Sequence, residues 1–541
     1  MTEWVYADVW EQIAAAIPER PAQIQGDRTL SWRDFDRRAN ALAAHLLQAG
    51  LQRHAKVGAF LYNAPEYLET YYAAFKAGLI PFNTNYRYGA EELVYLFDNA
   101  DAEAIVFHAD FAPVIETIRP RLPRVRAWIA VARDGQGAPA WAADYETIVA
   151  PGAERVAAPW GRSGEDQLFL YTGGTTGMPK AVMWRQDDLF NVLGAGGNLL
   201  LGVEPLASAA EAAERAQAAT EPGLLLAAAP LMHGTSQFTA LGTLVTGGTV
   251  AVLPSTRFNA VELWDEVDRL GVNAMAIVGQ AFAAPMLEAL DAHPGRWDVS
   301  SVRRIGSSGT VWNFENKQAL LRHIPGTVLF DSLGSSEAVG LGASMSAAGE
   351  TAQTARFVVG PNSAVFTEDG RRIEPGSGER GLVATAGFVP VGYYKDPEKS
   401  AKTFRMFEGR RWSVPGDFAT VEADGSMTLL GRGSQVINTG GEKVFPEEVE
   451  EALKRHPSVR DAVVVGVPDA RFGERVCAVV ELEPAAEAVT LETLARHVRA
   501  QLADYKAPRE LVLAPVSRAP NGKVDYKASK ALAIEALKIS A

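Results

Sequence analysis

The chain has 541 residues, of which 47% are apolar and 22% are charged, and its formal net charge is −13. This composition is typical of a folded protein of several domains and excludes wholesale disorder. An acidic chain without a basic stripe argues against nucleic acid as a partner, because that binding depends on neutralising phosphates. Cys477 is the single cysteine, which excludes an intramolecular disulfide, a CxxC pair and a cysteine-rich zinc site.

The N-terminus lacks the basic start and apolar core of a signal peptide, and no stretch approaches the roughly 18 apolar residues of a membrane span. The sequence therefore predicts a cytoplasmic protein without an integral membrane segment. Its histidines form no HExxH or HxxxH pair, so a catalytic zinc site is not expected. No motif determines the oligomeric state, and a homodimer stays open.

Helices and strands alternate through most of the chain. Ser31 and Asp34 resemble a capping box at the start of an amphipathic helix, and 65–77 has helical spacing with a stop at Gly78. Apolar runs predict strands at 57–61, 79–82, 104–107, 224–229, 250–253, 274–278 and 328–330. Strands that alternate with helices in this way predict an α/β fold with a largely parallel sheet.

Two segments interrupt the alternation. Residues 205–220 are rich in alanine and glutamate, which predicts either an exposed helix or lid, or a solvated surface insertion. Between 356 and 430, glycine and proline recur among short β-type runs, which predicts a small β subdomain. After 431–434 the order becomes helix, strand, strand, helix, in a unit the size of one small domain. The glycines at this junction make a hinge physically reasonable.

The strongest local signal is the loop from Thr172 to Lys180, which follows the strand-like run 168–170. Its glycines are Gly173, Gly174 and Gly177, and its other threonines are Thr175 and Thr176. Glycines let backbone amides approach an anion, threonines add hydroxyl donors, and the lysine supplies a positive charge, so the loop suits a polyphosphate. It is neither a Walker A loop nor a GxGxxG motif. The alternative is a plain glycine-rich turn.

A second signal directly follows the predicted strand at 328–330. It consists of Asp331, Ser332, Leu333, Gly334, Ser335, Ser336 and Glu337. A hydroxyl beside a carboxylate at a strand end can hold Mg²⁺. The alternative is a loop with a helix N-cap, in which Glu337 lies in the first turn. Ser336 also falls in a GxSxA sequence, a near miss for the nucleophile elbow of hydrolases.

Two charged residues flank the end of the predicted β subdomain. The carboxylate of Asp417 could take both hydroxyls of a ribose, and the guanidinium of Arg432 could bridge phosphate or ribose oxygens. The alternative for each is an ordinary surface charge.

The C-terminal part carries two further motifs. Gly440 and Gly441 permit close backbone approach, and Glu442 follows them shortly before a helix start. Near the end of the chain, an Asn-Gly turn at 521–522 presents Lys523 at its tip. A solvated surface lysine is the plain alternative for Lys523.

In this order the motifs resemble those of the adenylate-forming (ANL) superfamily, which includes acyl-CoA synthetases, luciferases and peptide-synthetase adenylation domains. The resemblance runs from 30–32 to 520–523. It implies an α/β fold with a large N-terminal domain of two α/β subdomains plus a small β subdomain at 1–431. A small mobile α+β domain at 432–541 would follow and carry the adenylation lysine. The run 440–446 is most similar to bacterial fatty-acid and bulky-carboxylate CoA ligases.

The resemblance also implies roles for individual residues. The catalytic residues would be Lys523, Glu337 and Lys180, with Glu337 and Thr176 as the metal ligands. ATP and AMP would be bound by Thr172, Gly173, Gly174, Thr175, Thr176, Gly177, Ser307, Ser308, Gly309, Asp331, Ser332, Gly334, Ser335, Ser336, Asp417 and Arg432. The acyl pocket would include His233, Gln280 and Gly306, and the CoA face would include Gly440, Gly441 and Glu442. Ser434 would be the hinge, where the family commonly has Asp or Lys.

The function that this resemblance implies is that of an AMP-forming acid:CoA ligase. Such an enzyme uses ATP, Mg²⁺ and CoA, and its partners are a small-molecule carboxylic acid and CoA. Small residues near Gln280 favour a medium- or long-chain acid or a bulky alicyclic or steroidal one. The alternatives are a luciferase-like or carrier-protein-loading adenylating enzyme, a serine hydrolase that uses Ser336, and a nucleotide-binding regulatory protein without catalysis.

Overall fold

The computed structural model describes the chain over thirteen stretches. They are 3–133, 135–172, 178–197, 203–309, 312, 314–349, 356–439, 442–469, 473–484, 486, 489–502, 504–519 and 523–539, without the side chains at 432, 434, 438, 442, 443 and 473. Within these stretches, no helix combines the length and the apolar character needed to cross a lipid bilayer.

Residues 6–192 alternate between helices and strands. In chain order the elements are α1 (Tyr6–Ala16), β1 (Pro21–Gln25), β2 (Arg28–Ser31), α2 (Trp32–Gln48), β3 (Lys56–Phe60), α3 (Pro65–Ala77), β4 (Ile80–Asn83), α4 (Ala90–Asn99), β5 (Ala102–His108), α5 (Ala112–Ile118), β6 (Ala127–Val131), β7 (Ala143–Asp144), α6 (Tyr145–Val149), β8 (Gln167–Thr172), β9 (Lys180–Arg185) and α7 (Gln186–Val192). Strands β7, β6, β5, β3, β4 and β8 lie side by side and parallel, and β9 pairs antiparallel with β8. The strands predicted in this part are confirmed.

Local sequence accounts for the ends of two of these helices. The Ser31 hydroxyl accepts a hydrogen bond from the Asp34 amide at 3.1 Å, and the Asp34 carboxylate accepts one from the Ser31 amide at 3.3 Å. This reciprocal pair is the predicted capping box at the start of α2. Helix α3 ends at Gly78, whose φ of 65° is left-handed and favours glycine. The predicted helix stop is therefore confirmed.

Residues 209–346 build a second sheet around parallel strands. The elements are α8 (Ala209–Ala218), β10 (Leu224–Ala227), α9 (Gly234–Val245), β11 (Thr249–Val252), α10 (Ala260–Leu270), β12 (Ala274–Ile277), α11 (Gly279–Ala292), β13 (Arg304–Ser308), α12 (Phe314–His323), β14 (Val328–Ser335) and β15 (Ala338–Ser346). The strand order is β2, β1, β11, β10, β12, β13, β14 and β15, and the strands from β1 to β14 in this order are parallel. Strand β2, at one edge, is antiparallel to β1, and β15 is antiparallel to β14.

The alanine- and glutamate-rich segment 205–220 contains α8, so the helix predicted there is confirmed. Helix α8 packs on α1, and its Ala212 and Ala216 are buried. The Arg20 guanidinium also donates a hydrogen bond to the Ala216 carbonyl at 2.6 Å. This helix is therefore part of the packed body and does not form a lid.

Residues 356–432 are dominated by antiparallel strands. They comprise β16 (Arg356–Val359), β17 (Ser363–Phe366), β18 (Arg380–Ala386), β19 (Gly392–Tyr393), α13 (Pro397–Thr403), β20 (Phe404–Phe407), β21 (Arg410–Ser413), β22 (Asp417–Val421) and β23 (Met427–Arg432). The predicted β subdomain is confirmed, but it is continuous with the second sheet, because β16 pairs with β15 on one side and β23 on the other. Strand β19 instead joins the first sheet by pairing with β9.

The C-terminal part forms a separate small sheet. Its elements are β24 (Ile437–Thr439), β25 (Glu442–Val444), α14 (Pro446–Lys454), β26 (Val459–Asp469), β27 (Gly473–Leu482), α15 (Leu491–Arg499), β28 (Glu510–Leu513) and α16 (Tyr526–Ala536). Alternate residues of β26 face opposite sides of the sheet. Ala462 and Val464 pack with α14 and α15, whereas Val463 and Val465 pack with Ala533 of α16. Helices on both faces explain the continuous apolar run of β26.

Two asparagines, the buried Asn83 and the partly buried Asn63, join the two large sheets. The Asn83 amide donates hydrogen bonds to the Tyr171 carbonyl at 2.8 Å and to the Met232 carbonyl at 2.7 Å, and its oxygen accepts the Tyr171 amide at 2.6 Å. Asn63 similarly bonds three backbone groups between 227 and 231. Around these contacts, α1, α2, α3 and α9 contribute to one apolar core that both sheets share. These bonds fix the loop after β10 relative to the end of β8.

Asn83→Ala tests this connection. The substitution leaves a buried amide and two buried carbonyls without their partner, so we expect a loss of about 2–4 kcal/mol in the free energy of unfolding. Urea unfolding followed by tryptophan fluorescence measures the loss. The control is Asn85→Ala, because Asn85 is only partly buried and its side-chain oxygen accepts the nearby Arg87 amide at 3.0 Å, a bond within the same loop. Equal stability of the two variants would contradict the role of Asn83.

Candidate active site

The carboxyl ends of the parallel strands meet at one edge of the second sheet. Across β13 and β14, Ser307 is paired with Asp331 and Ser308 with Ser332. The Gly279 amide at the start of α11 donates a hydrogen bond to the Ser307 hydroxyl at 2.8 Å. The sequence-predicted residues from Gly306 to Gly309, Gln280 and Asp331 are thereby brought together. Ligands of open α/β sheets bind at this kind of edge.

The segment from Asp331 to Ser335 does not form a loop. It extends β14 and pairs with β15, and Ser336 and Glu337 form the turn of the hairpin. The predicted alternative of a helix N-cap is therefore wrong, because antiparallel pairing with Ala338–Ser346 takes up the backbone groups. The Ser336 carbonyl accepts a hydrogen bond from the Trp184 indole at 2.9 Å. A hairpin turn is not the strand–turn–helix elbow of a hydrolase nucleophile, so the hydrolase alternative is also wrong.

The Asp331 carboxylate is already paired within the protein. The Lys317 ammonium of α12 lies 3.1 Å from Asp331 Oδ2, and both side chains are buried. Burial raises the pKa of Asp331, and the charge of Lys317 opposes that rise. The ion pair therefore joins the middle of β14 to α12.

Glu337 lies at the contact between the two large sheets. The Tyr393 hydroxyl of β19 donates a hydrogen bond to Glu337 Oε1 at 2.7 Å. The Ser413 hydroxyl donates to the Glu337 carbonyl at 2.6 Å, and the Glu337 amide donates to the Ser335 hydroxyl at 3.2 Å. Backbone and side chain are both held, so the carboxylate has a defined position.

The predicted phosphate loop connects two paired strands. Thr172 at the end of β8 is paired with Lys180 at the start of β9, as the prediction of a loop leaving a strand requires. The Lys180 ammonium forms an ion pair with Asp396, which also accepts the Lys399 amide at 2.9 Å as the N-cap of α13. Hydrogen bonds from Lys180 and from that amide lower the pKa of Asp396. Gly173, Gly174, Thr175, Thr176 and Gly177 lie outside the described residues.

Asp396 and Tyr393 were not predicted from the sequence. Asp396 precedes Pro397, and an aspartate before a proline is a helix-start signal that could have located α13. Nothing in the local sequence links that helix start to Lys180, because 216 residues separate the two partners. The contact arises only from the pairing of β19 with β9.

Asp417 and Arg432 face each other across two strands. They are register partners at the start of β22 and the end of β23, and Asp417 is buried. The sequence placed both residues near the predicted site but did not predict that they pair. Ser434 follows in a 3₁₀ turn. The side chains of Arg432, Ser434 and Glu442 are outside the description, as are Gly440 and Gly441 entirely.

Lys523 reaches the strand ends from the C-terminal part. The Ala519 amide donates a hydrogen bond to the Lys523 carbonyl at 2.7 Å, and the Asp525 amide donates to the Ser517 carbonyl at 2.9 Å, which closes a hairpin. The predicted Asn-Gly turn at 521–522 lies outside the described residues, and these bonds join the segments on either side of it. A Cβ built on Gly309 would lie 3.4 Å from Lys523 Cε, 3.8 Å from its Nζ and 3.9 Å from Thr235 Oγ1. The lysine side chain therefore ends beside the β13 turn and the start of α9.

His233 directly precedes α9, whose Thr235 lies near Lys523. Its Nε2 is shielded from water and has no hydrogen-bond partner among the described residues, and the same holds for Gln280 Oε1 and Trp312 Nε1. Burial, and then the charges of Lys523 and Arg87, lower the pKa of His233 to about 3. Buried polar atoms are normally bonded, so these three call for an explanation, and a bound polar ligand would supply one.

The pKa of His233 makes stability depend on pH. The unfolded imidazole takes up a proton below about pH 6.5, whereas the folded one stays neutral down to about pH 3. Its contribution is therefore fully present above pH 6.5 and falls by about 1.4 kcal/mol per pH unit below it. We expect His233→Gln to remove this part of the acid destabilisation.

Urea unfolding at pH 7.5 and at pH 5 measures the effect. The stability difference between wild type and His233→Gln should change in the variant's favour by about 2 kcal/mol between these pH values. His293→Gln, at an exposed position, is the matched control. Parallel pH profiles of wild type and His233→Gln would contradict the prediction.

Two protein-family models match this chain, one in its N-terminal part and one in its C-terminal part. The family model "AMP-binding enzyme" matches residues 10–388, and "AMP-binding enzyme C-terminal domain" matches 448–523. A medium/long-chain-fatty-acid–CoA/3-oxocholest-4-en-26-oate–CoA ligase of Mycobacterium tuberculosis is 40% identical over 97% of this chain and 95% of its own. A 3-oxocholest-4-en-26-oate–CoA ligase of Rhodococcus rhodochrous is 41% identical over 97% and 95%, and the medium-chain acyl-CoA ligase Mig of Mycobacterium avium is 40% identical over 98% and 99%.

Solved structures support the fold. The anthranilate CoA ligase AuaEII, in complex with anthranoyl-AMP, matches with a TM-score of 0.84 at 20% identity over 99% of this chain and 98% of its own. ATP-bound MatB from Rhodopseudomonas palustris matches with a TM-score of 0.79 at 23% identity over 97% and 98%. Both matches extend over nearly the whole chain, so they cover the large N-terminal and the small C-terminal part of the fold. The chain therefore belongs to the AMP-binding enzyme family.

Proposed function

We propose that the chain is an AMP-forming acid:CoA ligase of the cytoplasm. It would activate a carboxylic acid with ATP to an acyl-adenylate and then transfer the acyl group to CoA. The observation that carries this proposal is the position of the Lys523 hairpin, which brings an ammonium group from the C-terminal part to Gly309 and Thr235 at the strand ends. The names of the relatives, which are CoA ligases of fatty acids and of a steroid acid, favour a medium- or long-chain or bulky alicyclic or steroidal acid.

The chemistry explains why a lysine is needed there. A carboxylate is a poor acyl donor to a thiol, because oxide is a poor leaving group. Its oxygen therefore displaces pyrophosphate from the α-phosphate of ATP, and the thiolate of CoA then displaces AMP from the mixed anhydride. Two anions must approach each other in the first step, so catalysis depends on positioning and on neutralising charge. Lys523 would neutralise the carboxylate and α-phosphate, and Lys180 would neutralise the phosphates beyond it.

The remaining residues would bind the nucleotide around this centre. The loop from Thr172 to Gly177 would hold the triphosphate, and the segments 306–309 and 331–336 would line the adenosine. Asp417 would take the ribose hydroxyls, with Arg432 beside it. Two contacts would keep the strand ends around the nucleotide rigid. One is the hydrogen bond from the Gly279 amide of α11 to Ser307, and the other is the buried ion pair of Asp331 with Lys317.

Mg²⁺ would be held by Glu337 and Thr176. A carboxylate and a hydroxyl are the hard oxygen donors that this ion prefers, and it usually keeps several waters and binds phosphate oxygens as well. The ion would supply charge neutralisation on the phosphates. The Tyr393 hydroxyl, which donates a hydrogen bond to Glu337 Oε1 at 2.7 Å, would hold that carboxylate in position for the ion.

The two half-reactions would use two positions of the C-terminal domain. We place the boundary between domains 1–431 and 432–541, with Ser434 as the hinge. Lys523 and the pantetheine arm of CoA need the same space beside Gly309, so the domain would rotate between the steps. The second position would turn Gly440, Gly441 and Glu442 toward CoA.

A pyrophosphate-release screen tests the proposed function. Short, medium, long, aromatic and steroidal acids are each supplied with ATP and Mg²⁺, with and without CoA. We expect release to require the acid and to turn over continuously only when CoA is present, with the corresponding acyl-CoA as product. Release with every acid but no thioester would favour another kind of adenylating enzyme, and no release with any acid would contradict the proposal.

Lys523→Ala separates the two half-reactions. Loss of the ammonium should lower acid-dependent ATP–pyrophosphate exchange by about 100-fold or more, because a charge aimed at the transition state contributes several kcal/mol. Thioester formation from chemically prepared acyl-adenylate and CoA should stay within about two-fold of wild type, since no pyrophosphate leaves in that step. Lys527→Ala, a nearby lysine on α16, is the matched control. Equal losses in both half-reactions would overturn the role of Lys523.

Tyr393→Phe tests the support of Glu337. Without the hydroxyl, the carboxylate loses a fixed hydrogen bond, so we expect the Mg²⁺ concentration for half-maximal pyrophosphate exchange to rise by about three- to ten-fold. The rate at saturating Mg²⁺ should change less. Tyr394→Phe is the control, because the neighbouring Tyr394 hydroxyl donates to Asp101 at 2.8 Å and not to Glu337. An unchanged Mg²⁺ requirement would contradict the prediction.

A further inference from the structure

The hairpin that carries Lys523 is held at both of its ends. It runs from Ser517 to Asp525, between β28 and α16, and its described residues are closed by the Ala519–Lys523 and Asp525–Ser517 backbone bonds. Arg518 and Val524 are bridge partners across it. These bonds fix the segments 517–519 and 523–525 relative to each other. The direction in which Lys523 extends depends on the contacts at the two ends of the hairpin.

The first end is attached by Arg518. Its guanidinium donates a hydrogen bond to the Asp461 carboxylate of β26 and forms an ion pair with it. The Lys454 ammonium of α14 lies 3.6 Å from the other Asp461 oxygen, and the Ala462 amide donates to that oxygen at 2.9 Å. Arg518 and Asp461 are only 25% and 13% exposed as side chains, so solvent screens this pair less than an ordinary surface pair.

The second end is attached by Tyr526, the first residue of α16. Its hydroxyl donates a hydrogen bond to Glu450 Oε2 of α14 at 3.2 Å. The other oxygen, Glu450 Oε1, accepts the Val464 amide of β26 at 2.9 Å. Glu450 is buried, and burial raises its pKa to about 7. A carboxylate is kept in such a place only with bonded partners, so Tyr526, α14 and β26 form one rigid connection.

We propose that Arg518 and Tyr526 are positioning residues that aim Lys523 at the nucleotide from a support built by Asp461 and Glu450. The inference rests on the proposed function, since it concerns the adenylation lysine of that reaction. Both supports come from α14 and β26 of the C-terminal part, and the lysine is the residue they hold out toward Gly309. A displacement of about 1 Å in a reacting group can cost about 100-fold in rate, so this aim matters for catalysis.

A positioning role predicts loss in one half-reaction only. Arg518→Met and Tyr526→Phe should lower ATP–pyrophosphate exchange by about 10- to 100-fold. They should leave thioester formation from preformed acyl-adenylate within about two-fold of wild type, and this retained activity also shows that the variants fold. Arg518→Lys, which keeps a donor and a charge, should restore part of the exchange. Measurements at pH 8 keep the Glu450 carboxylate mostly ionised.

Lys530→Met is the matched control. Lys530 lies further along α16 and forms an ion pair with Glu474 of β27 at 2.9 Å. It ties the same helix to the same sheet, but away from the hairpin. Both half-reactions of this variant should stay within about two-fold of wild type.

A double-mutant cycle tests whether Arg518 acts through Lys523. In the Lys523→Ala background, adding Arg518→Met should lower pyrophosphate exchange by no more than about two-fold, because the lysine it aims is already absent. Multiplying losses in the double variant would overturn the proposal. Equal losses in both half-reactions would also overturn it. The same holds if ATP–pyrophosphate exchange were unchanged in both Arg518→Met and Tyr526→Phe.

Hydrogen exchange provides a readout that needs no activity. The Ala519 and Asp525 amides, which close the hairpin, should exchange at least about five-fold faster in Arg518→Met and not in Lys530→Met. If wild type turned over no acid while these amides responded as expected, the proposed function would fail and the support of the hairpin would stand. Unchanged exchange of both amides would overturn the support itself.

Discussion

The site depends on one ammonium group being held close to the ends of β13. A unit charge about 4 Å from another contributes about 1 kcal/mol in bulk water and about 4 kcal/mol where the effective dielectric constant is near 20. A lysine on a free loop would gain little and would lose rotamer entropy on each approach. The backbone bonds that join 517–519 to 523–525 remove much of that loss before any ligand binds, since they hold the backbone of Lys523 in place.

The two lysines that the N-terminal part contributes near the site already form ion pairs with carboxylates. Lys180 is paired with Asp396, and Lys317 is paired with Asp331. The half-exposed Lys180 can exchange its carboxylate for a phosphate at modest cost, whereas the buried Lys317 would leave an uncompensated charge behind. In the proposed function, the first pair would keep a phosphate-binding cation in place until a nucleotide arrives, whereas the second pair joins β14 to α12.

The sequence was informative where structure is local. The capping box of Ser31, the stop at Gly78 and the alternating strands follow from neighbouring residues, and all agree with the fold. Asp331 to Ser335 were missed as a strand because small polar residues have low β propensity, and only pairing with β15 makes them extended. Asp396 escaped notice for a related reason, because its partner Lys180 is 216 residues away. Distant pairing of this kind leaves no local pattern, and the known family motifs alone connected Lys523 to the other loops.

The contacts inside the N-terminal body differ in strength from an ion pair that joins this body to the C-terminal part, and the difference suits the proposed two-step reaction. Inside the N-terminal body, Asn63 and Asn83 connect the loops of one sheet to the other through hydrogen bonds, and those of Asn83 are buried and costly to break. Between the body and the C-terminal part, Arg460 pairs with Glu288 at 3.0 Å, but these side chains are 42% and 62% exposed, and such a pair contributes only about 0–1 kcal/mol. Phe418 and Phe445 also pack across this boundary, with ring centroids 5.7 Å apart. The bonds of Arg518 to Asp461 and of Tyr526 to Glu450, in contrast, lie within the C-terminal part. In the proposed reaction, the lysine would be withdrawn with its domain while its aim within that domain stays fixed, and one rigid motion would exchange it for the thiol.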